Sequence, residues 1–193
     1  LFNPLPAGFN FPDVQKELLF SDYSNTLLPD NKNDLAFYTI GQLAELIRTQ
    51  KITSTELIQF FIERLKMYNP ALQCVITFTE ERGLKQAALM DEEIKAGKYR
   101  GLLHGIPFGA KDLLSAKGYK TTWGAVPFKD QYIDEDAAVI SKLEEAGAVL
   151  CAKLTLGALA WGDVWFDGKT RNPWDTTKGS SGSSAGSASA VAA

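Results

Sequence analysis

From Thr39 onward, segments with apolar residues at helix spacing alternate with short unbroken apolar runs. That alternation limits the chain to an α/β architecture. Ile40, Leu43, Leu46 and Ile47 recur at helical intervals behind Thr39, which suits an N-cap. Thr53-Ser54-Thr55-Glu56 has the spacing of a capping box. It opens a second amphipathic helix carrying Leu57, Phe60, Phe61, Ile62, Leu65 and Met67, which Asn69-Pro70 is expected to end. A strand over Cys74 to Phe78 follows, then a helix from Glu81 to Ala96 stopped by Gly97. Next come a strand over Gly105 to Ala110, a Gly/Thr-rich loop over Gly118 to Gly124, and a helix over Ala137 to Ala146 closed by Gly147. Asp134, Glu135 and Asp136 precede that helix, where its N-terminus favours negative charge. Ala148 to Ala152 reads as a buried strand. Strands separated by helices in this way predict parallel pairing. Periodicity assigns no element to Trp161–Phe166. Residues 1–38, broken by Pro4, Pro6, Pro12 and Pro29, read as an extension packed on the domain surface, with a short helix over Val14 to Phe20.

Composition removes several function classes. Twenty basic against twenty-three acidic residues give a net charge of −3, which supplies no basic field for nucleic acid and no polybasic patch for a membrane. No apolar run reaches the roughly 18 residues that would span a bilayer. Cys74 and Cys151 both sit in apolar, strand-like runs and read as buried, inert thiols rather than a disulfide framework or zinc site. The first residue is Leu1, so a leader removed upstream would make the protein secreted; otherwise a cytoplasmic location is favoured. The single histidine is His104. A Ser-His-Asp triad or His-rich metal site would have to use it, so a hydrolase of this composition more naturally finds another base. His104 itself reads as a structural loop residue. The four tryptophans read as packing residues, with Trp161 the one suited to line an acyl pocket.

Two stretches concentrate chemistry. Lys111 stands at the C-terminal end of the apolar run Ile106-Pro107-Phe108-Gly109-Ala110, where ligands of open α/β sheets bind. Desolvation of a lysine favours the neutral amine, the form that accepts a proton. The plain alternative is a lysine reaching to solvent or paired with Asp112. The second stretch is Asn172 to Ala193, NPWDTTKGSSGSSAGSASAVAA. Its Gly/Ser content resembles a flexible linker. The Asn-Pro-Trp-Asp turn before it and the helix-forming Ala-rich run after it point instead to a site at a helix start.

These segments occur together in an order that resembles the amidase signature family. The order runs through His104-Gly105-Ile106-Pro107-Phe108-Gly109-Ala110-Lys111-Asp112-Leu113, then Gly118 and Thr121-Thr122, then Asp136-Ala137 leading to Val139 and Leu143. It continues through Ala146-Gly147-Ala148-Val149, Lys153-Leu154-Thr155 and Asn172-Pro173-Trp174-Asp175, and ends on Gly182-Ser183-Ser184 with Gly186-Ser187. The resemblance covers roughly residues 39–193, the N-terminal part of such a domain. It implies a mixed β-sheet core covered by helices, and an amidase acting on a small-molecule amide without metal or organic cofactor. It also leaves room for a homo-oligomer. Carried over residue by residue, Lys111 is the triad lysine and Ser183 the bridging serine behind a cis Gly182–Ser183 peptide. Ser184 then supports the lysine by hydrogen bonding. The family's acylated nucleophile would lie beyond Ala193. The family usually places Gly-Gly before and after the serine pair; here Ser181-Gly182 and Ala185-Gly186 stand there, and Lys153-Leu154-Thr155 replaces the common Lys-Thr-Asn. A close variant is the A subunit of a glutamyl-tRNA amidotransferase, which needs partner subunits. A reading from another class is a non-catalytic binding module whose Gly/Ser loop holds an anion at a helix N-terminus, although Lys178-Gly179-Ser180 reverses the Walker order.

Overall fold

The computed structural model describes residues 8–10, 19 and 21–193. The helix expected over Val14 to Phe20 falls almost wholly outside them. Among the described residues are five α-helices and seven strands: α1 (Ile40–Arg48), α2 (Ser54–Leu72), β1 (Val75–Phe78), α3 (Glu80–Lys95), β2 (Pro107–Lys111), α4 (Ala138–Glu145), β3 (Val149–Leu154), β4 (Val164–Trp165), β5 (Gly168–Lys169), β6 (Arg171–Asn172), β7 (Asp175–Gly179) and α5 (Ala185–Ala192). The order through β3 is the expected one, and periodicity does not foretell the short strands β4 to β7.

Local chemistry explains most boundaries. Thr53 and Glu56 close the expected capping box, with Thr53 Oγ1 accepting from the Glu56 N–H at 3.1 Å and Glu56 Oε2 from the Thr53 N–H at 2.9 Å. Thr39 and Gln42 form a second one on α1. Helix α2 does not stop at Pro70 but runs through it to Leu72, and Gln73 ends it in the left-handed region at φ 50°. Proline removes one N–H from the last turn. The neighbouring Asn69 side chain instead accepts the N–H groups of Cys74 and Val75, at 2.9 and 2.8 Å, and so holds the turn into β1. Gly97 and Gly147 stand at positive φ behind α3 and α4, as expected. The acidic residues before α4 do not lie in its first turn. Asp136 accepts instead from Arg82 of α3, which also pairs with Glu144, so these charges tie α3 to α4.

The sheet order is β1–β3–β2. β2 runs parallel to β3, and β1 antiparallel. The sheet is therefore mixed, as the resemblance implied, with the parallel pairing expected from the alternation found between β2 and β3. All six residues of β3 are buried. Helices α2 and α3 cover one face through Ile58, Ile62, Ala87 and Met90 on Val149 and Cys151. Ile140 of α4 packs with Ala110, Ala116 and Leu150. Gly83 lets α3 approach β3, since a Cβ there would lie 2.9 Å from the Leu150 carbonyl oxygen. The described part of the extension packs on this body: the Tyr23 ring lies over Gly41, and Lys51 Nζ donates to the Thr26 carbonyl at 2.6 Å. No helix among the described residues is long and apolar enough to cross a membrane.

One ion-pair cluster is expected to contribute to the acid limit of the fold. Glu93 accepts from Arg100 at 2.6 Å and pairs with Lys98 at 2.7 Å, and Arg100 continues to the Glu144 and Glu145 carbonyls. Hydrogen bonds from Arg100 and then Lys98 hold the Glu93 carboxyl at about 2, below its ordinary 4.5. A carboxyl depressed in the folded state contributes stability above pH 4.5, and that contribution is lost as pH falls towards 2. Glu93→Gln is expected to flatten the acid limb of melting temperature against pH in this window while lowering stability at pH 7. An unchanged acid limb would show that the cluster does not set it.

Candidate active site

The C-terminal ends of the parallel strands β2 and β3 carry the site. Half-buried Lys111 is the last residue of β2, in register with Leu154 of β3. Its Nζ donates to Ser183 Oγ at 2.8 Å. The peptide between Gly182 and Ser183 is cis. The Gly/Ser stretch is not a linker. Ser180 N–H donates to the Thr170 carbonyl at 3.0 Å, and Ser181 N–H to Asp163 Oδ2 at 3.3 Å. The Ser183 carbonyl accepts from the Gly157 N–H at 3.3 Å. Gly182 lies against the Gly162 carbonyl so closely that a Cβ would overlap it. The Asn172-Pro173-Trp174-Asp175 turn joins the paired strands β6 and β7 and leads the chain into this loop.

Ser184 is the N-cap residue of α5, makes no side-chain capping bond and lies exposed. No hydrogen bond joins it to Lys111, whose amine is taken by Ser183. At the N-terminus of α5 one of the first N–H groups, that of Gly186, is taken by the protein. Gly186 N–H donates to the Thr155 carbonyl at 2.9 Å, and Ala188 N–H to that of Ser184 at 3.0 Å. Ser189 is buried and donates to the Arg171 carbonyl at 2.8 Å.

Asp112 does not pair with Lys111. Successive residues leaving a strand point to opposite faces. Asp112 Oδ1 forms an ion pair with Lys153 at 2.5 Å, and both side chains are fully buried. Lys153 Nζ also donates to the Lys120 carbonyl at 3.0 Å and to Thr121 Oγ1 at 3.4 Å. Burial lowers the Lys153 amine from its ordinary value, against the opposing pull of Asp112. Asp112 Oδ2 accepts from the Thr122 N–H and hydroxyl at 2.8 and 2.5 Å. Motif order alone misses this ion pair, although its signal is in the sequence. A lysine inside the apolar run AVLCAKL of a wholly buried strand needs an anionic partner.

His104 is fully buried. Its Nδ1 accepts from the Arg100 N–H at 3.3 Å and its Nε2 lies 3.0 Å from the Met90 carbonyl, an arrangement that places the ring proton on Nε2. Burial pushes the Cys74 thiol up to about 11 and that of Cys151 to about 12, so both stay protonated. Trp165 is buried and half-buried Trp123 packs on Phe128, but Trp161 and Trp174 are 86% and 79% exposed, contrary to a packing role. An apolar groove of about 300 Å³ is lined by residues of α1, α2, α5, β2 and β3, and neither Lys111 nor Ser183 lines it.

The site thus joins a lysine amine to a serine hydroxyl at parallel strand ends, with a cis peptide before the serine. A family model described as Amidase matches residues 56–193. The chain belongs to the amidase signature family, whose members cleave or transfer across carbon–nitrogen bonds. The A subunit of glutamyl-tRNA(Gln) amidotransferase from Methylobacillus flagellatus is 37% identical over 159 residues, covering 81% of this chain and 32% of its own length. Native peptide amidase from Stenotrophomonas maltophilia superposes with a TM-score of 0.72 at 33% identity, covering 78% of this chain and 33% of that one. A fatty acid amide hydrolase superposes with a TM-score of 0.75 at 28% identity, covering 87% and 32%. The chain thus spans about a third of the length of the curated relatives it matches.

Proposed function

We propose that this chain is the part of an amide-bond hydrolase that carries the proton-transfer half of its active site. The observation that supports the reading is the 2.8 Å hydrogen bond between Lys111 Nζ and Ser183 Oγ. In its neutral form Lys111 accepts the Ser183 proton, while Ser183 accepts the proton of an attacking hydroxyl that lies outside these 193 residues. A hydroxyl suits the bridge because it donates and accepts at once. Attack opens the amide carbonyl. The proton then returns through the same two groups to the departing nitrogen, which leaves as a neutral amine while the acyl group stays as an ester on the attacking oxygen. Water, deprotonated along the same path, then cleaves that ester to the acid and restores the hydroxyl. No step calls for a metal or an organic cofactor. The substrate is a small-molecule amide.

A second reading has its own support in the relatives named as the A component of glutamyl-tRNA(Gln) amidotransferase, which are 36% to 40% identical to this chain. There the same proton path would release ammonia for transfer within an assembly of several subunits. The two readings separate in one assay. The whole natural protein, purified alone, is expected to release acid and amine from a panel of primary amides and anilides. Turnover that appears only when partner subunits are added would decide for the amidotransferase, and no turnover in either condition would overturn both.

A further inference from the structure

We propose that Asp112, gripped by Lys153, is a positioning residue for the Lys111–Ser183 pair. The proposal rests on the amide-hydrolase reading above. A buried ion pair adds little stability over apolar side chains of the same volume, so this pair is better explained by the geometry it imposes. Its connections run towards the site on both sides. Asp112 is bonded to Lys111 through the chain, and its N–H donates to the Leu154 carbonyl at 2.9 Å, which fixes the backbone from which the Lys111 side chain leaves. Its carboxylate holds the Thr122 N–H and hydroxyl, and the Thr122 hydroxyl in turn accepts from the Gly124 N–H at 3.1 Å. The turn so formed carries Trp123, at φ 51°, whose carbonyl accepts from the Leu159 N–H at 2.9 Å. Leu159 belongs to the same turn as Gly157, the donor to the Ser183 carbonyl. One ion pair therefore braces the strand end that aims the amine and, through two turns, the segment that holds the hydroxyl. The pairing also takes up the carboxylate nearest to Lys111 in sequence, and leaves that amine to Ser183.

The test uses the whole natural protein and an amide it hydrolyses. Asp112→Leu combined with Lys153→Met removes both charges together, so neither is left buried alone. This variant is expected to melt near the wild-type temperature, with kcat lower by about a hundredfold and KM within about twofold, as displacement of a positioned group by an ångström would cause. Thr122→Val is a gentler change of similar size that removes the hydroxyl bond to Asp112 Oδ2 and keeps the backbone N–H bond to the same oxygen. It is expected to lower kcat about tenfold at unchanged KM, with Thr122→Ser restoring the rate. Wild-type kcat in both Thr122→Val and the double variant overturns the proposal. If the double variant does not fold, Thr122→Val with its serine rescue decides alone. Lys111→Ala is run alongside: full activity there sinks the Lys111–Ser183 proton path on which the reading above rests, whereas an inactive Lys111→Ala beside fully active Thr122→Val and double variants sinks only the positioning role.

Discussion

Lys111→Ala in the whole natural protein is expected to lose at least about a thousandfold in kcat on a turned-over amide while keeping its melting temperature within a few degrees. General base catalysis contributes about a hundred- to ten-thousandfold, and here one amine would serve as base towards Ser183 and as acid on the return. The side chain is half-buried at a strand end and bonds to a neutral hydroxyl, so its loss leaves no orphaned charge in the core. Lys111→Arg is the sharper variant. A guanidinium keeps the positive charge and the hydrogen-bond donors but does not give up its proton in a protein. It is expected to fold like wild type and to be as inactive as the alanine variant. Substantial activity in Lys111→Arg would show that a fixed cation suffices and that no proton passes through this position.

Gly186→Ala is expected to lower stability by about 1–3 kcal/mol, read as a fall of several degrees in melting temperature. Helix propensity alone argues the other way, because alanine in an α-helix is favoured over glycine by about 1 kcal/mol. Packing decides the sign. A Cβ on Gly186 would meet the Cys74 carbonyl oxygen and both the backbone nitrogen and the hydroxyl oxygen of Thr155. Two of these are backbone atoms held by the Thr155 N–H to Cys74 carbonyl bond at 2.9 Å, and they have little room to give. Helix α5 would have to lift from the sheet, and the serine loop with it, so activity should fall as well. Ser187→Ala, one residue on, meets no such contact and is expected to leave the melting temperature unchanged. A Gly186→Ala variant as stable as wild type would mean that α5 can shift freely against β3.

The two positions where this chain departs from the family's double glycines fit the same account. Gly182 and Gly186 are the pair that touch other backbone, at Gly162 and at Thr155. Ser181 occupies φ 65°, a strained value for a serine, and Ala185 is a buried helical residue. Glycine thus stands where a Cβ would meet backbone, while Ser181 tolerates its strained φ and Ala185 fits inside the helix.

What is legible in the sequence is mostly local. Capping boxes, glycine stops and apolar periodicity place α1 to α4, because each depends on residues within a few positions of one another. The mixed sheet is not legible from periodicity, since strand direction is decided by tertiary packing and only the family resemblance carries it. The course of α2 past Pro70 depends on the Asn69 side chain taking two N–H groups beyond the helix, which no propensity scale records. The site divides in the same way. Lys111 and Ser183 emerge from motif order, whereas Lys153 reads there only as a loose match to a motif. Its importance depends on burial and on Asp112, and the two lie far apart in the chain.

Lys111 and Ser183 are 72 residues apart. On a ribosome that adds about 5–20 residues per second, the amine emerges roughly 4–14 seconds before the hydroxyl it will hold. For much of that interval β2 has not yet acquired β3, its only strand partner among the described residues, which is synthesised between the two. The nascent chain therefore carries an apolar strand unpaired on both sides for several seconds, and in this window it is most open to chaperone capture or aggregation.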